Sequence, residues 1–124
     1  MKKLAIIAAI LAAGPAFADP VHGVWKTQVD DGNYAHITIG NCGEEICGVI
    51  SRTFNSDGEW KSDNIGKPLV WGMNANGSNY KGGTIWQPST GKKYRSKMAL
   101  NGDVLKVSGC VGPICKKQTW TRVK

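Results

Sequence analysis

Beyond residue 19, apolar residues never recur at helical spacing over a useful length; they alternate. Tyr94, Ser96, Met98 and Leu100 share one side of an extended run whose other side carries Lys93, Arg95 and Lys97. Leu105 and Val107 oppose Lys106 in the same way, and Trp25, Thr27 and Val29 oppose Lys26 and Gln28. A period of two with one charged side is what an antiparallel sheet with one buried face requires. The runs are rich in Val, Ile, Thr, Tyr and Trp, and Gly, Asn, Asp and Pro break them up. They predict strands at about 23–30, 34–41, 47–54, 69–74, 80–87, 93–100, 104–110 and 115–123. Gly82-Gly83 marks a bulge or bend. Only residues 55–68 form a long link, and such links in compact domains often carry function.

Eight consecutive strands close into an up-and-down antiparallel barrel, just wide enough to be filled by side chains or to hold one small ligand. Closure also decides the pairing of the four cysteines. Successive turns alternate between the two ends, so the Cys42/Cys47 turn and the Cys110/Cys115 turn lie at opposite ends. Strands of five or six residues separate those ends by ~20 Å, whereas bridged Cα atoms sit within ~7 Å. Two local disulfides follow, Cys42–Cys47 and Cys110–Cys115. A zinc site fits poorly, because the spacing is wrong and the chain has only two histidines, His22 and His36. No metal is expected.

Disulfides suit the address written at the start of the chain. Met1-Lys2-Lys3 is a basic head, Leu4 to Ala13 is apolar, and Ala16-Phe17-Ala18 offers small residues at −3 and −1 for cleavage before Asp19. This is the pattern of a secretory signal peptide over residues 1–18, leaving one domain over 19–124 in the periplasm or outside the cell. The apolar run is too short to span a membrane, which takes ~20 residues. The formal charge of +7 becomes +5 without Lys2 and Lys3.

Gly23-Val24-Trp25 opens the first strand and Trp120-Thr121-Arg122 closes the last. In a closed antiparallel ring these strands are neighbours, so Arg122 lies over the indole of Trp25 and plugs one end, leaving the other as a mouth. The arrangement resembles the calycin group (lipocalins, fatty-acid-binding proteins, avidins). A wider pattern adds Cys47-Gly48, Trp86-Gln87-Pro88-Ser89-Thr90-Gly91-Lys92-Lys93-Tyr94, Leu105-Lys106-Val107-Ser108-Gly109-Cys110 and Gln118-Thr119-Trp120-Thr121-Arg122. In that order the segments resemble a family of small exported bacterial proteins classed as a domain of unknown function with a lipocalin-like barrel. The resemblance spans nearly all of residues 22–123 and implies fold and location, but no activity.

The residues themselves argue against catalysis. No serine sits in a nucleophile elbow and neither histidine has a motif beside it. There is no phosphate-cradling glycine loop and no dinucleotide fingerprint, so no cofactor is expected. His36 alternates with Ile37 and Ile39 and is expected to face solvent. His22 belongs to a flexible lead-in. The candidate binding residues are aromatic: Trp60 near the mouth, with Trp71, Trp86 and Tyr94 toward the interior. Lys26, Lys93, Arg95, Lys97, Lys106 and Lys117 point outward and form a basic flank suited to anionic lipid or polymer. The export pattern argues against nucleic acid. The leading expectation is a non-catalytic module that takes a small apolar or amphipathic ligand at a mouth built by residues 30–33, 55–68, 88–92 and 110–115. The alternatives are an interaction or inhibitor module acting on an envelope enzyme through residues 19–22 or the Trp60 loop, and an envelope protein held by its basic flank.

Overall fold

The computed structural model describes residues 18–124, so the expected leader lies outside the described residues apart from Ala18. The described residues form nine strands: β1 Gly23–Lys26, β2 Tyr34–Cys42, β3 Glu45–Asn55, β4 Gly58–Trp60, β5 Pro68–Asn76, β6 Asn79–Gln87, β7 Lys92–Asn101, β8 Val104–Val111 and β9 Ile114–Arg122. No described helix is long and apolar enough to cross a membrane. Eight strands close an antiparallel ring in the order β1, β2, β3, β5, β6, β7, β8, β9 and back to β1. The seam is short, Trp25 pairing with Arg122 and Lys26 with Thr121. The all-β up-and-down barrel expected from alternation is therefore present, with both local disulfides, Cys42–Cys47 and Cys110–Cys115.

Two boundaries differ from expectation, each for a local reason. The long link holds a ninth strand, β4, which pairs with the far end of β3 through Thr53 and Trp60. β1 ends at Lys26 rather than near residue 30. The Thr27 amide still donates to the Ala35 carbonyl at 2.9 Å, but the return bond from the Ala35 amide goes to the Thr27 hydroxyl at 3.0 Å, so a side chain takes over half of the next ladder pair. Beyond it Val29 turns outward and is 50 % exposed, against the expectation that it faces in.

One hydrophobic cluster fills the ring, with Trp25, Ile37, Val70, Met73, Tyr80, Leu105, Val107 and Trp120 fully buried. Each large side chain removed from water contributes ~1.5–3 kcal/mol. The molecule has two unlike ends. One carries the 43–44, 77–78 and 102–103 turns together with residues 19–22 and 123–124. The other carries residues 27–33, 56–67, 88–91 and 112–113. The disulfides sit at opposite ends, with Cα separations of 5.8 Å and 4.0 Å. Two bulges shape the wall. Ser51 is an extra residue of β3 between the Ile37–Ile50 and His36–Arg52 pairs, held by its hydroxyl donating to the His36 carbonyl at 3.1 Å. On β6, Lys81 and Gly82 together face Lys97.

Candidate functional site

The Trp25 end is sealed by a polar seat around an aromatic plug. The Arg122 guanidinium lies 4.4 Å from the centroid of the buried Trp25 indole. It donates to the carbonyls of Pro20 and His22 at 2.8 and 3.0 Å and pairs with Asp103 at 2.8 Å. The Trp25 indole N–H donates to the Val21 carbonyl at 2.9 Å, and Val21 is itself fully buried. The Tyr80 hydroxyl donates to Asp19, and burial together with that carboxylate pushes the phenol well above its ordinary pKa. Gly23 is required in this seat. A Cβ there would stand 2.5 Å from the Lys124 carbonyl oxygen and 2.9 Å from Arg122 Nη1. Residues 19–22 are thus not the flexible lead-in expected. They fold under the barrel, with His22 Nε2 3.1 Å from Asn41 Oδ1.

The opposite end holds two of the aromatic candidates. Tyr94 pairs with Ile85, packs partly against the core and brings its hydroxyl to Gln87 Oε1 at 3.4 Å. Trp60 pairs with buried Thr53, whose hydroxyl donates to the Trp60 carbonyl. The residue is 49 % exposed.

Trp71 and Trp86 are elsewhere. The expectation that they line or fill the interior is corrected: both stand half-buried and line an outer cleft, Trp86 packing partly against the core. Their strand neighbours Val70 and Ile85 are the residues that point inward. Leu69 and Val70 are both buried at the start of β5, which breaks the period of two and turns Trp71 out. With Pro68, Lys67 and Lys93 the two indoles line a shallow cleft of about 270 Å³. Lys93 Nζ lies 5.8 Å from the Trp71 ring and Lys67 Nζ 5.7 Å from the Trp86 ring. Lys67 is placed by backbone stitching of the link to β3, Ile50 N donating to the Lys67 carbonyl at 2.9 Å and Gly66 N to that of Ile50 at 2.8 Å.

A second aromatic patch, not anticipated, lies on the outer face of β2 and β3. Tyr34 stacks on Phe54 with ring centroids 4.6 Å apart, and His36 tilts against Phe54 at 4.7 Å. Lys26 Nζ sits 4.6 Å over the Tyr34 ring, and Arg52 forks onto Glu59 at 2.8 and 3.0 Å. His36 does face outward, yet its neighbours half-bury it. That burial chiefly, then Arg52 and Lys26 against an opposing pull from Glu59, lowers its pKa below the ordinary value.

Charge is segregated around the ring. Residues 64–124 hold eleven Lys and Arg and one acid, Asp103, whereas residues 19–63 hold eight acids and three cations. Lys93, Arg95, Lys97, Lys106 and Lys117 all lie on the outer face of β7–β9, while Lys26 is drawn off toward Tyr34. Among the described residues no three His, Cys, Asp or Glu side chains gather as a metal would need.

Comparison with known proteins bears on the fold. The chain is similar to HP1028 of Helicobacter pylori, described as belonging to the lipocalin family, at 17% identity and a TM-score of 0.66. The match covers 84% of this chain and 83% of that one. No curated protein matches. Over residues 23–122 the sequence fits the model of the family described as an uncharacterized protein conserved in bacteria (DUF2147), and to that family the chain belongs.

Proposed function

We propose that this protein is an exported, non-catalytic binding module that takes an anionic amphipathic ligand on the shelf of Trp71 and Trp86. The leader pattern of residues 1–18 and the two disulfides support export. A barrel interior filled by its own side chains supports moving the ligand from inside the mouth to its outer lip. The observation that carries the reading is the shelf itself: two half-exposed indoles flanked by two ammonium groups, neither of them in an ion pair with a carboxylate. Indole faces take apolar or ring surfaces, and the ammonium groups set the sign of the head group.

The test is intrinsic fluorescence titration with a short-chain phosphatidylglycerol below its micelle concentration, beside the matching phosphatidylcholine. The anionic lipid is expected to give a saturable change that Trp71→Ala with Trp86→Ala abolishes while the double variant stays folded at the assay temperature. Retention of binding in that double variant, with loss in Trp60→Ala, would return the site to the mouth and refute the shelf. A protein partner is the second reading, favoured by the exposure of Trp60. A stoichiometric partner captured from periplasmic extract and lost on Trp60→Ala would establish it. Residues 19–22 do not serve an inhibitor role in this reading, because they are locked under the barrel.

A further inference from the structure

A second cleft opens where the β6–β7 ladder breaks. Pairing passes from Tyr80–Met98 to Gly83–Ser96, so Lys81 and Gly82 share one opposite number, Lys97. Gly82 takes a φ of 78° that favours glycine. Gly83 lies so close to β5 that an added Cβ would stand 2.5 Å from Met73 Sδ and 2.6 Å from the Trp71 carbonyl oxygen. The bulge is therefore built into the wall by two glycines, and it leaves a cleft of about 320 Å³. Its rim carries Lys81, Arg95 and Lys97, and the Cys110 end of a disulfide closes one side.

Nothing acidic answers these three cations. β5 to β9 contain no Asp or Glu, and none of the three forms an ion pair. Arg95 is steadied by one bond, Nη2 donating to the Gly112 carbonyl at 2.8 Å, which leaves the rest of its five donors. Ser96 donates to the Ser108 carbonyl at 2.6 Å and keeps that part of the wall fixed. Three like charges around one hollow repel each other, and an anion seated between them reverses the sign of the interaction.

We propose that this cleft binds a tetrahedral oxyanion of the phosphate class, at a site separate from the Trp71–Trp86 shelf. A carboxylate offers two oxygens to one guanidinium fork. A phosphate monoester offers three terminal oxygens and close to two charges, one oxygen for each of Lys81, Arg95 and Lys97. The cleft is open to solvent, which leaves room for the alcohol part of an ester beside the phosphate.

Amide chemical shifts, followed while inorganic phosphate replaces chloride at constant low ionic strength, test the site. Saturable shifts are expected at Gly82, Gly83 and Lys97. Lys81→Gln with Lys97→Gln should weaken binding by about tenfold or more, while Lys106→Gln, on the same flank outside the cleft, changes it less than about twofold. Shifts of equal size at Lys106, Lys116 and Lys117, or equal weakening by Lys106→Gln, would mean diffuse screening and overturn the site. So would a response only to phosphatidylglycerol vesicles. A hexose phosphate that binds more tightly than phosphate, and than vesicles at equal phosphate concentration, identifies a soluble ester; tighter binding to vesicles identifies a lipid head group. The Trp71→Ala, Trp86→Ala variant should keep the phosphate response, so failure at this cleft leaves the shelf standing, and the reverse.

Discussion

Among single side chains, His36 is the imidazole whose affinity for a proton the fold lowers. The imidazole is wedged against Phe54 with Arg52 and Lys26 nearby, and each of these disfavours the charged form. An unfolded chain titrates this group near ~6.5, so below that pH the unfolded state binds the proton more readily. Stability is expected to decline as pH falls from above ~6.5 through the lower native value. Urea midpoints at about pH 7.5 and 5.5 should differ less in His36→Gln than in the parent, and an unchanged difference would dismiss the role of His36. At this scale the sequence was readable in direction and not in contact. Alternation placed His36 outside, but its neighbours depend on register. That register is set by the Ser51 bulge, one extra residue that shifts every pair beyond it. The Trp25–Arg122 contact was legible because strand order alone forces those two positions together.

For the strands, the period of two read β7 and β8 correctly from Lys93 to Val107, since both are regular and wet on one face. It failed on β5, where Leu69 and Val70 are consecutively buried and Trp71 turns out. Trp71 moved for that reason: a strand that bends at a glycine-rich contact does not keep one side in. The contact between Gly83 and β5 makes the bend, so Gly83→Ala must displace Met73 or the Trp71 backbone. Overpacking of this kind typically costs ~1–3 kcal/mol. A drop of that size in chemical denaturation is expected, together with a change in Trp71 emission. A neutral substitution would show that the wall can relax there and that the bulge is not held by close approach.

Across the molecule, the two disulfides stand at opposite ends of a filled barrel. Each closes a short loop, for which chain entropy predicts a modest gain of ~2 kcal/mol. Replacing Cys42 and Cys47 by Ser, or Cys110 and Cys115 by Ser, should lower stability by about that amount. The losses should add within ~0.5 kcal/mol when combined, read as urea midpoints with an unchanged slope. Strong non-additivity would mean that the ends communicate through the core. The separation of charge was only half legible: the basic flank followed from alternation, but its extension to Lys67 and Lys81 turned on the path of the link before β5 and on the β6 bulge. One consequence concerns the order of events during synthesis. A ribosome delivers β1 early and β9 last, and β1 obtains its second hydrogen-bonded neighbour only from β9. Until the final stretch emerges, the nascent sheet has two raw edges and Trp25 lacks its cation. A chain that has not yet placed β9 is therefore exposed to edge-to-edge association and becomes safe only in one late, ring-shutting step.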